Sequence, residues 1–263
     1  MPVGIEACPD CGREPAESSW TPEVYGDDLE LWLESDQPDS IVTTGGGEVS
    51  EWHDLSSHAD VFAADVGNRP TTGTLTVNGV NVLQCTSATT KLLHSGALQR
   101  YKFMVDGTKP YVIAAAIGFD SGMQGYAMFL GESNWPRVHF GNDAANRIRV
   151  TQTKPSDACT SSNVSVISMS NIIGVQLNRI FAHRFDVSQP VAADRLTHGV
   201  NGATTTPNTS TANPNSCDLT AGMKVAETLR GWIGGLIIVS GDSATELTRT
   251  TLQDYFNAKF AIY

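Results

Sequence analysis

The feature that most constrains this fold is a short apolar run at the end of the chain, followed directly by a helical pattern. Trp232-Ile233-Gly234-Gly235-Leu236-Ile237-Ile238-Val239-Ser240 is rich in β-branched residues and bounded by Gly, which predicts a deeply buried strand. Gly241-Asp242 breaks it. Ser243-Ala244-Thr245-Glu246 then has capping-box spacing, with a hydroxyl to accept from the N3 amide and a Glu to reach back to the cap. Leu252, Tyr255, Phe256, Lys259 and Phe260 follow at three- and four-residue spacing, giving one stripe of an amphipathic helix. One buried strand and one closing helix predict a β-sandwich whose only substantial helix packs across it.

The rest of the chain is consistent with that frame. Leu29-Glu30-Leu31-Trp32-Leu33-Glu34 alternates, which predicts a half-buried strand with the three leucines on one face. Asn78-Gly79, between the alternating runs Leu75–Val77 and Val80–Val82, predicts a two-residue hairpin, because both of its turn residues take positive φ. Further strands are expected at Tyr101–Val105, Tyr111–Phe119, Tyr126–Leu130, Arg137–Phe140, Arg147–Thr151, Val164–Ser168, Ile173–Leu177 and Phe181–Val187. Many short strands without alternating helices favour a sandwich or jelly roll over any βαβ fold. No linker splits the series, so the 263 residues are read as one domain, 27–263, preceded by an arm over 1–26. Asn201 to Ser216 is a long polar loop, read either as a contact loop or as a solvated excursion.

A net charge of −11, with only 17 scattered Lys and Arg, argues against nucleic acid as a partner. No run approaches the roughly 18 apolar residues of a membrane span. The opening residues Met1 to Cys8 lack a basic and then apolar leader, so synthesis and folding in a cytoplasm are expected. Five cysteines fit reduced thiols better than a disulfide framework. Cys8-Pro9-Asp10-Cys11-Gly12 resembles half of a zinc knuckle, so Cys8 and Cys11 are candidate metal ligands; the alternative is a plain turn with two thiols.

Three blocks give a resemblance to the concanavalin A-like, laminin-G-like jelly rolls of bacteriophage virion proteins and bacterial surface proteins. They are Leu31-Trp32-Leu33; Glu51-Trp52-His53-Asp54-Leu55-Ser56 with Asn68-Arg69-Pro70-Thr71; and Gly231 to Val239 with the helix through Phe260. Gly199-Val200-Asn201-Gly202 is similar to a hairpin these domains carry. The likeness spans about residues 28 to 263. Gln84-Cys85-Thr86 departs from the family's acidic and aromatic residues after the Asn-Gly hairpin, and the Cys8–Cys11 arm has no counterpart in the family.

The resemblance implies an all-β jelly-roll sandwich with a C-terminal helix. It further implies a non-enzymatic virion protein, decorating the capsid or associated with the tail, made in the host cytoplasm. Such a protein is expected to be anchored to other virion subunits by its arm and to be a homo-oligomer. The alternative is an adhesin that binds cell-surface glycan, with Trp135 in the turn Ser133-Asn134-Trp135-Pro136 as its stacking residue. A third reading is a glycan hydrolase using Glu34 and Asp36, since the same fold hosts retaining glycosidases with paired carboxylates. Gln37-Pro38 and Asp39 favour instead a solvated acidic turn there. Asp54, Asp60 and Asp65 are possible Ca²⁺ ligands without EF-hand spacing. His53 and His58 read as surface residues, and His183 and His198 as standing alone.

Overall fold

Runs of β-branched and aromatic residues between turn residues become strands in the computed structural model. It describes residues 20–263 except 88, 95, 97, 121–124, 132–136, 143–147, 156–161, 169–176, 187 and 206–221. Cys8, Cys11 and Trp135 lie outside the described residues, as do most of the 201–216 loop and the Ile173 to Gln176 stretch.

The first strands are β1 (Leu29–Glu34), β2 (Ile41–Thr43), β3 (Val49–His53), β4 (Val61–Ala63), β5 (Thr71–Val77), β6 (Val80–Cys85) and β7 (Leu92–His94). Then come β8 (Tyr111–Phe119), β9 (Gly125–Gly131), β10 (Arg137–Asn142), β11 (Ile148–Pro155), β12 (Ser162–Ser168) and β13 (Leu177–Phe185). The series closes with β14 (Leu196–Val200), β15 (Ala203–Thr205), β16 (Met223–Glu227) and β17 (Gly231–Ser240). Two α-helices occur among the described residues, the short α1 (Phe103–Asp106) and the closing α2 (Glu246–Phe260).

Two antiparallel sheets form a jelly-roll-like sandwich. One runs β15-β14-β13-β8-β17-β6-β5, with β1 also pairing β17; the other runs β12-β11-β10-β9-β16-β7-β4-β3-β2. The inner core between them holds Leu31, Trp52, Phe62, Ile113, Phe181 and Leu236. On the outer face of the first sheet a second apolar layer lies under α2, including Trp32, Ala114, Ile180, Leu252, Phe256 and Phe260. β17 is therefore covered on both sides, and all ten of its residues are buried, as its apolar run predicts.

A register shift in β17 between Ile233 and Gly235 works like a bulge and turns two successive glycines toward the helix. A Cβ at Gly234 would lie 2.4 Å from the Phe260 ring, and one at Gly235 2.7 Å from the Phe256 ring. The helix approaches this closely because no side chain stands there.

Other sequence expectations meet different outcomes. The Asn78-Gly79 hairpin forms, with φ of 51° and 77° and Val77 paired to Val80. Asn201-Gly202 makes a similar turn between β14 and β15. Tyr101–Val105 is not a strand: Leu98–Lys102 is 3₁₀ and Phe103–Asp106 is α-helical, ended by Gly107 at φ 66° with its N–H on the Phe103 carbonyl. β1 is not half-buried, since all six residues are buried. The inner core takes Leu31 and Leu33, while Trp20 and Tyr25 help cover Leu29 and Trp32 outside. Thr245, not Ser243, caps α2: its hydroxyl accepts from the Thr248 amide at 3.1 Å, and Ser243 ends a 3₁₀ turn. No helix among the described residues is long and apolar enough to cross a membrane.

Candidate functional site

Packing of α2 leaves a second stripe of that helix uncovered. Thr251, Asp254, Tyr255, Ala258 and Lys259 follow one another at helical spacing and line a groove of about 710 Å³. Its other walls are Trp20, Asp36 just beyond β1, and Asn78 and Val80 of the β5–β6 hairpin. The hairpin tip is tied to the helix by Asn78 Nδ2, which donates to the Lys259 carbonyl at 3.3 Å.

Two aromatic rings form the apolar part of this groove. Trp20 meets Tyr255 edge-on, with centroids 5.2 Å apart and planes at 63°, and Tyr25 supports Trp20 from behind at 5.9 Å. The Tyr255 hydroxyl donates to Glu34 Oε1. Lys259 Nζ lies 3.1 Å from Glu34 Oε1 and 3.1 Å from Asp36, and 5.2 Å above the Tyr255 ring. Burial and then the Glu34 charge push the Tyr255 hydroxyl far above its ordinary pKa, so the ring stays a neutral donor. These ties fix the rotamers of the groove's largest side chains before any ligand arrives.

Glu34 is therefore no solvated turn residue. It is 1% exposed at the end of β1, where Tyr255 and Lys259 from the far end of the chain both meet its Oε1. Lys259→Met is expected to cost about 2 kcal/mol, leaving a buried carboxylate with Tyr255 alone, and adding Glu34→Gln should recover most of that loss. Urea denaturation of the single and double variants measures both.

Across the hairpin tip lies a second groove of about 530 Å³, which also uses Asn78. Trp232 forms part of it and, at 6% exposed, is a core residue as its sequence block predicts. Its Nε1 donates to Asn178 Oδ1 at 3.0 Å.

Of the three aspartates considered for Ca²⁺, Asp65 is exposed and the other two are used structurally. Asp54 accepts from the Trp32 and Ser56 amides, and Asp60 binds Arg100, Tyr101 and His94, so neither carboxylate is open to a cation. No group of three or more His, Cys, Asp or Glu side chains able to hold a metal occurs among the described residues. His53 pairs with Glu51 at 2.8 Å on the surface, and His58 lies 3.6 Å from buried Glu30. His183 and His198 do not stand alone: they face each other across β13 and β14, fully buried, with ring centroids 5.8 Å apart.

Sequence reasoning nominated Trp135 rather than Trp20 as the stacking residue and read Tyr255 as part of the apolar stripe. The available signal was the 251/254/255/258/259 spacing, a polar and aromatic stripe beside the apolar one.

No family model matches the sequence, and no curated protein sequence matches it. Solved structures do match in fold. The receptor-binding domain of botulinum neurotoxin D aligns at TM-score 0.58 and 9% identity, over 89% of this chain and 54% of that one. The binding domain of botulinum neurotoxin DC in complex with SialylT aligns at 0.50 and 13%, over 88% and 51%. A Trypanosoma rangeli sialidase in complex with a difluorosialic acid aligns at 0.50 and 12%, over 89% and 34%. This chain thus spans about half of those toxin domains and about a third of the sialidase. At such identities the likeness establishes the fold: an antiparallel, jelly-roll-like β-sandwich closed by a C-terminal helix.

Proposed function

We propose that this domain is a carbohydrate- or receptor-binding module of the concanavalin A-like kind, acting without catalysis, with the groove beside α2 as its binding site. The observation that carries the reading is the groove itself. A half-buried Trp20–Tyr255 pair offers apolar ring surface, and Asp36, Asn78, Thr251 and Asp254 surround it with groups that can bond hydroxyls. Sugar rings present that combination of an apolar face and a hydroxylated edge. The matched toxin folds support the binding part of this reading, since both are binding domains of neurotoxins. They favour the adhesin alternative over capsid decoration. A virion setting, which the family resemblance implies, fits the proposal as a tail-associated adhesin. Burial of Glu34 under Tyr255 and Lys259 favours binding over hydrolysis by Glu34 and Asp36.

Trp20→Ala tests the proposal. It is expected to weaken glycan binding at least tenfold on an array, while lowering stability by only about 1 kcal/mol because the ring lies at the edge of the outer apolar layer and is partly exposed. Undiminished binding with the fold intact would remove this groove as the site.

A further inference from the structure

The charges around the groove carry information about what it accepts. Among the described residues, three carboxylates, Glu34, Asp36 and Asp254, stand against one ammonium, Lys259. That ammonium is not open to a ligand's acid group, because Glu34 and Asp36 already hold it, each at 3.1 Å. Asp254 lies one turn away on the same stripe and is exposed, so its charge faces the opening. The adjoining groove adds Asp120 to the amides Gln84 and Asn178. The chain as a whole carries −11, which adds repulsion at longer range.

We propose that this groove selects neutral glycans and rejects sialylated or otherwise acidic ones; the inference rests on the glycan-binding reading above. A bound sialic acid would bring its carboxylate beside Asp36 and Asp254, with Lys259 already committed. A neutral pyranose meets no such cost, and it uses those same oxygens as acceptors for its hydroxyls. The matched toxin domain is seen with SialylT and the matched sialidase with difluorosialic acid. This groove has the opposite electrostatic character from one suited to such anions.

The test uses the full chain against glycan pairs that differ only by a terminal sialic acid, each coupled to the same polymer. The neutral member of a recognised pair is expected to bind about tenfold more tightly at low ionic strength, with the ratio shrinking as salt screens the carboxylates. Asp254→Asn, a surface change, should narrow the ratio through better binding of the sialylated member, and Asp36→Asn should do so further. Equal or tighter binding of the sialylated member overturns the selectivity while leaving glycan binding in place. No binding to any member of the panel overturns the underlying reading together with the inference.

Discussion

Phe256→Ala is expected to lower the unfolding free energy by about 3–5 kcal/mol, the largest loss anticipated for any single truncation on α2. Phe256 is fully buried, packs 6.2 Å from Phe260 ring to ring, and fills the space opened by Gly235. Removing the ring leaves a cavity bounded by β17, whose backbone cannot collapse into it without breaking its pairing to β8 and β1. The loss should reach function as well, because Tyr255 and Lys259 are carried on the same turn of helix. Urea titration gives the energy, and the glycan array gives the accompanying fall in binding. A cost below about 1 kcal/mol would mean that α2 is held mainly by its polar ties.

Acidification is expected to destabilise the domain from about pH 6.5 downward. Burial lowers the His183 pKa to about 3, helped by the Arg249 charge, and it lowers that of His198 well below its ordinary value. Both rings are thus neutral in the folded state at neutral pH. Below about pH 6.5 the unfolded chain takes up protons that the folded one does not. Stability is therefore full above that pH and falls as the pH drops toward 3, by about 1.4 kcal/mol per pH unit for each histidine. At pH 5 the loss is about 2 kcal/mol per ring. In Asp60 and Asp186 burial raises the pKa, but hydrogen bonds and a neighbouring arginine outweigh it and hold the pKa below the usual value. Those carboxylates add their own losses only below about pH 4, so they leave this window clear. Denaturant titrations at about pH 7.5 and 5 measure the slope, and His183→Leu should remove about half of it. An unchanged slope in that variant would mean the sensitivity lies elsewhere.

How much of this was legible follows from where each residue's partners lie. The Asn78-Gly79 turn, β8 and β17 could be read directly, since their conformations depend on adjacent residues and on alternation. Tyr101, Phe103 and Val105 alternate too, yet Asp106-Gly107 closes a helical turn there, and period alone cannot separate the two over five residues. Glu30 and Glu34 look solvated in sequence. They are buried because Ser240, 210 positions away, and Tyr255, 221 away, meet them. Ser243 and Thr245 are both plausible caps, and only the 3₁₀ turn over Gly241–Ser243 decides between them. The groove was hidden for the same reason. Trp20, Asp36, Asn78 and the α2 stripe are scattered along the chain and converge only through the packing of one helix.

The two glycines of β17 bear on how such a module could change its ligand. Phe256 and Phe260 sit in notches left by two absent methyl groups, so the helix has a fixed datum along and around its axis. Thr251 and Ala258 project from that datum without contributing to it, and Asp254 bonds the Tyr263 hydroxyl at the chain's end. They are free to vary, giving a new recognition surface on an unmoved frame. A single methyl group at Gly234 would do the reverse: every side chain of the α2 stripe would stay the same, and all of them would be displaced together against Trp20, Asp36 and Asn78.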